Sequence, residues 1–112
     1  MGTALIDKIL IWEERCTMDL KECRVEIDSI DSKIIELFEQ RMEVCARVAD
    51  YKLRNNLPVL DKAREDEKME ALKAMMSDEM QEYGERLYSS IFELSREYQS
   101  KILKGVNGDG SD

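Results

Sequence analysis

Residues 19–55 carry a hydrophobic repeat of 37 residues, and no other feature of the chain restricts its fold as much. On a seven-residue period Leu20, Ile27, Ile34, Arg41 and Val48 share one line, with Cys23, Ile30, Leu37, Val44 and Tyr51 on the line beside it. One long amphipathic helix accounts for both. Its apolar stripe has to be covered, yet a third line, Arg24, Asp31, Phe38, Cys45 and Lys52, leaves cations at 24, 41 and 52 on or beside that face. Burying an unpaired ion costs several kcal/mol even after relaxation, so something anionic is expected to meet these groups.

Punctuation along the chain supports two further helices. Asp19, with Glu22 three residues on, suits a helix N-terminus as a capping box with Asp in place of Ser or Thr. The amides of Asn55 and Asn56 tolerate the left-handed conformation that ends helices, and Pro58 forbids continuation. After a connector over 57–60, Asp61 is placed to cap a second helix in which Glu65, Met69, Leu72 and Met76 recur at helical spacing. Glu65 either points inward at the head of that stripe or complements the helix dipole, worth about 0.3–1 kcal/mol. Spacing leaves both readings open. Ser77 and Asp78 break the pattern and can cap a third helix over about 79–103, with the stripe Met80, Leu87, Ile91, Leu94, Tyr98 and Ile102. Gly84 is a weak point, about 1 kcal/mol worse than Ala, that would allow a close helix approach. Ser95 and Gln99 are polar groups one turn apart on the shoulder of this stripe. The expected fold is all-α, with three helices per chain, one of them long. Residues 1–18 read as an N-terminal extension, 19–104 as the domain, and 105–112 as a disordered tail.

Composition narrows the function. At 112 residues there is room for one domain, small enough that a single chain struggles to bury a core. The net charge of −8 argues against nucleic acid or an anionic membrane as partner, because both need a basic footprint. The apolar run over 5–12 is broken by Asp7 and Lys8, is too short to span a bilayer, and lacks a basic leader and a cleavage site. Cys16, Cys23 and Cys45 have no metal-site spacing and there is no histidine, so no metal is expected and the thiols read as small hydrophobes in a reducing cytoplasm.

Arg24 and Arg41 lie 17 residues apart, about 25 Å along a helix, and Arg24 and Lys52 about 42 Å, too far for one small molecule to bridge. Two such helices packed antiparallel would bring Arg24 of one chain beside Arg41 and Lys52 of another. That geometry predicts an intertwined antiparallel helical homodimer with two equivalent shared sites. With Glu65, Ser95 and Gln99 added, the guanidiniums suit the two-pronged recognition of a small dicarboxylate. No phosphate loop and no nucleophile with an evident base is present, so the equipment is for holding and polarising. The competing reading is a helical interaction module in which the three cations snorkel or pair across a coiled-coil seam.

A set of short motifs decides between these readings. Cys23-Arg24-Val25-Glu26-Ile27-Asp28-Ser29-Ile30-Asp31, Gln40-Arg41, Lys52, Pro58-Val59-Leu60-Asp61, Arg64-Glu65 and Glu93-Leu94-Ser95-Arg96-Glu97-Tyr98-Gln99 follow in order and spacing. Together they resemble the all-helical chorismate mutases across roughly 80 of the 112 residues. The resemblance implies the intramolecular [3,3] rearrangement of chorismate to prephenate, without a cofactor, in aromatic amino-acid biosynthesis. Carried over residue by residue, Arg24 from the partner chain and Arg41 would grip the two carboxylates of chorismate. Lys52 and Gln99 would donate to the ether oxygen, and Glu65 would accept from the ring hydroxyl. Ser95 and Arg64 would assist at a carboxylate, and Asp61 would act through its backbone and as a cap. The pocket holds every family residue; the departures are residues 1–18 and the acidic tail. A chain of this length is expected to lack the dehydratase or dehydrogenase domain sometimes joined to this fold. A second enzyme reading keeps the fold but eliminates pyruvate from isochorismate.

Overall fold

A computed structural model describes residues 19–106; the expected extension over 1–18, with Cys16, and positions 107–112 of the expected tail lie outside them. The described residues form three α-helices, α1 (Leu20–Arg54), α2 (Lys62–Ala74) and α3 (Gln81–Val106), with a 3-10 helical turn at Asp78–Met80 and no strand. The chain divides into two compact units, one through Phe38 and one from Glu39.

Local chemistry sets the helix ends. Asp19 Oδ1 accepts from the Glu22 N–H at 2.8 Å, satisfying one of the orphan donors of α1. At the other end Asn56 adopts φ 54°. Leu57 N–H donates to Lys52 O at 2.8 Å and Asn56 N–H to Leu53 O at 3.4 Å, the paired bonds of a Schellman turn. Asp61 Oδ1 then caps α2 by accepting from the Arg64 N–H at 3.0 Å.

The start of α3 departs from expectation. Ser77 is extended but makes no side-chain cap; the Met80 N–H instead bonds to Ser77 O at 2.9 Å, so a tight backbone turn replaces the hydroxyl. Gln81 Nε2 ties this corner to α2 by donating to Lys73 O at 2.9 Å. At Gly84 the close neighbour is not a helix backbone but the Met76 side chain, just past the end of α2, whose thioether a Cβ there would overlap. α3 continues to Val106, so Gly105 and Val106, expected in the tail, are helical. Lys104 in the last turn complements the helix dipole there.

In the first unit the apolar line of α1 stays open: Ile27, Ile30, Ile34 and Leu37 are each more than half exposed. In the second unit α1 buries Cys45 and Ala49, while Val44, Val48 and Tyr51 of the expected stripe remain exposed. α3 is offset likewise. Phe92, Ser95 and Gln99 are buried, whereas Leu87, Leu94 and Tyr98, expected to pack, are exposed. The reason is polar: Ser95 and Gln99 turn toward the cations of α1, which rotates the apolar line away. α2 packs on α3 through Leu72, with Met69 and Met76 half-buried. Among the described residues no helix is long and apolar enough to cross a membrane.

Candidate active site

Three segments of the second unit converge on one cleft of about 180 Å³. α1 contributes Arg41, Cys45, Val48 and Lys52, spaced i, i+4, i+7 and i+11 on one face. α3 contributes Phe92, Ser95, Arg96 and Gln99 at i, i+3, i+4 and i+7. The connector and the first turns of α2 supply Val59, Asp61, Arg64, Glu65 and Lys68.

Arg41 is half-buried, and among the described residues it donates only from Nη1, to Ser95 Oγ at 2.7 Å and more weakly to Cys45 Sγ at 3.7 Å. Its Cζ stands 5.8 Å from the Phe92 ring centroid, within cation–π range, a contact worth about 0.5–1 kcal/mol or more when desolvated. The Ser95 hydroxyl donates in turn to Ile91 O at 2.7 Å, so this buried group is satisfied as donor and acceptor. The remaining guanidinium edge can take a carboxylate in two-pronged fashion.

Lys52 Nζ donates to Val59 O at 2.6 Å and to Gln99 Oε1 at 3.3 Å. An ammonium has three donors, so one remains for a ligand. With its oxygen taken by Lys52, the buried Gln99 amide has its NH2 group to offer. Among the described residues no buried side-chain polar atom lacks a partner.

Glu65 resolves the ambiguity left by its spacing: its side chain is 23% exposed and lines the cleft. Both of its oxygens meet Arg96 Nη1, at 2.5 and 2.6 Å.

Seven of the eight expected site residues, Arg41, Lys52, Asp61, Arg64, Glu65, Ser95 and Gln99, line this cleft. Arg24 does not; it is exposed and belongs to the first unit. Sequence reasoning passed over Arg96 and Lys68. A signal for Arg96 existed, because it stands four residues after Phe92 and three before Gln99 on the same helical face. Asp61 and Arg64 sit at the rim, where the Arg64–Glu67 contact of 3.5 Å is exposed and contributes little. The lining holds five cations, Arg41, Lys52, Arg64, Lys68 and Arg96, against Asp61 and Glu65, a surplus of three positive charges in a chain of net charge −8. Such a cleft attracts a small dianion and offers donors inside it.

A family described as chorismate mutase type II matches residues 23–100. The chain is 32% identical over 95 residues to a bifunctional chorismate mutase/prephenate dehydratase of Buchnera aphidicola subsp. Schizaphis graminum, covering 83% of this chain and 25% of that protein. It is 39% identical over 54 residues to a protein so described from Aquifex aeolicus, covering 48% of this chain and 15% of the relative. To the T-protein of Haemophilus influenzae it is 41% identical over 46 residues, covering 41% and 12%. The chain thus spans a quarter or less of the length of these relatives. No solved structure matches it.

Proposed function

Since this chain belongs to the type II chorismate mutase family, we propose that it converts chorismate to prephenate, a step of aromatic amino-acid biosynthesis, in a site shared between two copies. The observation that carries the proposal is the convergence of Arg41, Lys52, Glu65, Ser95 and Gln99 on one cleft with surplus positive charge.

The reaction is unimolecular and pericyclic, so catalysis consists of holding the compact conformer and stabilising charge that appears only in the transition state. Arg41, steadied by Ser95, holds one carboxylate, with Arg64 assisting at the rim. As the carbon–oxygen bond breaks ahead of carbon–carbon bond formation, negative charge gathers on the ether oxygen. The third donor of Lys52 and the NH2 group of Gln99 meet it there. Glu65 accepts from the ring hydroxyl, and Asp61 keeps α2 capped so that Glu65 stays in place. A millionfold acceleration needs about 8 kcal/mol. Losing one such donor costs about 3–4 kcal/mol in comparable sites, so two donors plus orientation suffice in magnitude.

The second carboxylate is met by Arg24 of the partner. The open line of α1 supports this: each Ile or Leu taken out of water contributes about 1.5–3 kcal/mol, and Ile27, Ile30, Ile34 and Leu37 all stand exposed in one chain. An antiparallel, intertwined homodimer covers that line and delivers Arg24 in one arrangement. The cytoplasm suits the free thiols of Cys23 and Cys45.

The test is loss of the ultraviolet absorbance of the chorismate diene, with prephenate identified as product. Saturable conversion that falls by orders of magnitude in a folded Arg41→Ala variant is expected. A folded, dimeric protein that leaves chorismate untouched would overturn the proposal. Turnover of isochorismate would then favour the lyase, and turnover of neither the interaction module.

A further inference from the structure

We infer that Arg96 is a positioning residue that holds the Glu65 carboxylate in its working orientation and keeps it off the cations needed for substrate. The inference rests on the chorismate mutase reading and assigns within it a residue that the motif set leaves without a role.

The geometry is specific. One nitrogen, Arg96 Nη1, lies 2.5 Å from Glu65 Oε1 and 2.6 Å from Oε2, so it sits nearly on the carboxylate axis. An end-on contact of this kind fixes where the carboxylate points, yet leaves each oxygen lone-pair capacity for a second donor such as a ring hydroxyl. The two side chains are 33% and 23% exposed, whereas those of the surface pair Arg64–Glu67 are 60% and 78% exposed. The Arg96–Glu65 attraction is therefore far less screened than that of an ordinary helix-surface pair. It also spans two helices, which surface pairs within α2 do not.

Glu65 needs such a restraint because of its neighbours. Lys52, Arg64 and Lys68 line the same cleft, and each is a rival partner for a long carboxylate side chain. If Glu65 swung to Lys52, it would occupy the donor that the ether oxygen requires. If it swung outward, it would enter the adjoining groove of Lys62, Asp66 and Glu85, which Glu65, Phe92 and Arg96 also line. The ion pair thus stands between the two spaces and holds Glu65 on the side of the cleft. Arg96 itself, engaged with Glu65, acts through that residue and not on the substrate.

The test is a kinetic cycle on the full chain with chorismate. Misplacing a group by about 1 Å costs up to about a hundredfold, so Arg96→Ala is expected to lower kcat tenfold to a hundredfold while KM changes less. Arg96→Lys, which restores a cation at similar reach, should recover part of the loss. In a Glu65→Gln background, removing Arg96 should bring no further loss, because its only route of action is gone. If Arg96→Ala does not fold, Arg96→Met preserves the stem and serves in the same cycle. Fully additive losses, or a defect confined to KM without rescue by Lys, would assign Arg96 to the substrate itself and overturn the inference. Wild-type conversion that survives loss of Arg96 within twofold would overturn it as well. Failure of the wild-type chain to convert chorismate is a different result, and overturns the activity together with this role.

Discussion

In the proposed reaction Lys52 by itself carries much of the chemistry. Two of its three donors are committed, to Val59 O and Gln99 Oε1, and these bonds aim the third. Replacing it by Met preserves most of the stem but removes every donor. Lys52→Met should therefore lower kcat by about a hundredfold to a thousandfold, the loss found on removing one oxyanion-type donor, with helical circular dichroism unchanged. A decrease of less than tenfold would take Lys52 away from the ether oxygen. Ser95 and Gln99 were legible as residues of the cleft because polar groups on a packing face need a reason. Arg96 was less so, since an arginine beside a serine on a charged helix ordinarily faces water, and its register with Phe92 and Gln99 was the signal it gave. Its partner in the structure, Glu65, stands 31 residues earlier.

The connector between α1 and α2 decides how these residues meet. Asn56, at φ 54°, lets the chain turn back so that Val59 reaches the Lys52 ammonium. A Gly at 56 has no Cβ penalty there, whereas a β-branched residue does, by about 1–2 kcal/mol. Asn56→Gly should thus match the parent in a urea titration, and Asn56→Val should unfold at clearly lower urea. Equal midpoints for both would mean that the left-handed turn at 56 imposes no such strain. Asp61, Asn56 and the Asp19 cap were readable from sequence because capping is local chemistry. The replacement of the Ser77 cap by a 3-10 turn was not, because it depends on how Gln81 reaches Lys73 O.

For the molecule as a whole the open face of α1 is the governing fact. Among the described residues, seven large apolar side chains of the first unit are more than half exposed, the line Ile27, Ile30, Ile34 and Leu37 among them, and few residues of the second unit are buried. In the proposed dimer each site takes Arg24 from one chain and the remaining groups from the other. Arg24→Ala and Lys52→Ala proteins should each be nearly inactive. Equal mixtures that exchange subunits should recover about a quarter of wild-type activity, because half the dimers are mixed and each has one intact site of two. No recovery despite demonstrated exchange would exclude the shared site.

The sequence by itself determined the helices, the Asp19 and Asp61 caps, the cationic face of α1 and most of the pocket residues, because periodicity and capping are set within a few residues of chain. It also indicated that the apolar lines outnumber the surfaces one chain can offer. Only the tertiary structure decided that Glu65 points into the cleft, that Arg96 holds it, and that Ser95 and Gln99, not Leu94 and Tyr98, are covered within the chain. Those outcomes turn on contacts between residues 31 to 54 positions apart, where hydrogen bonding to a half-buried cation outweighs the local apolar pattern.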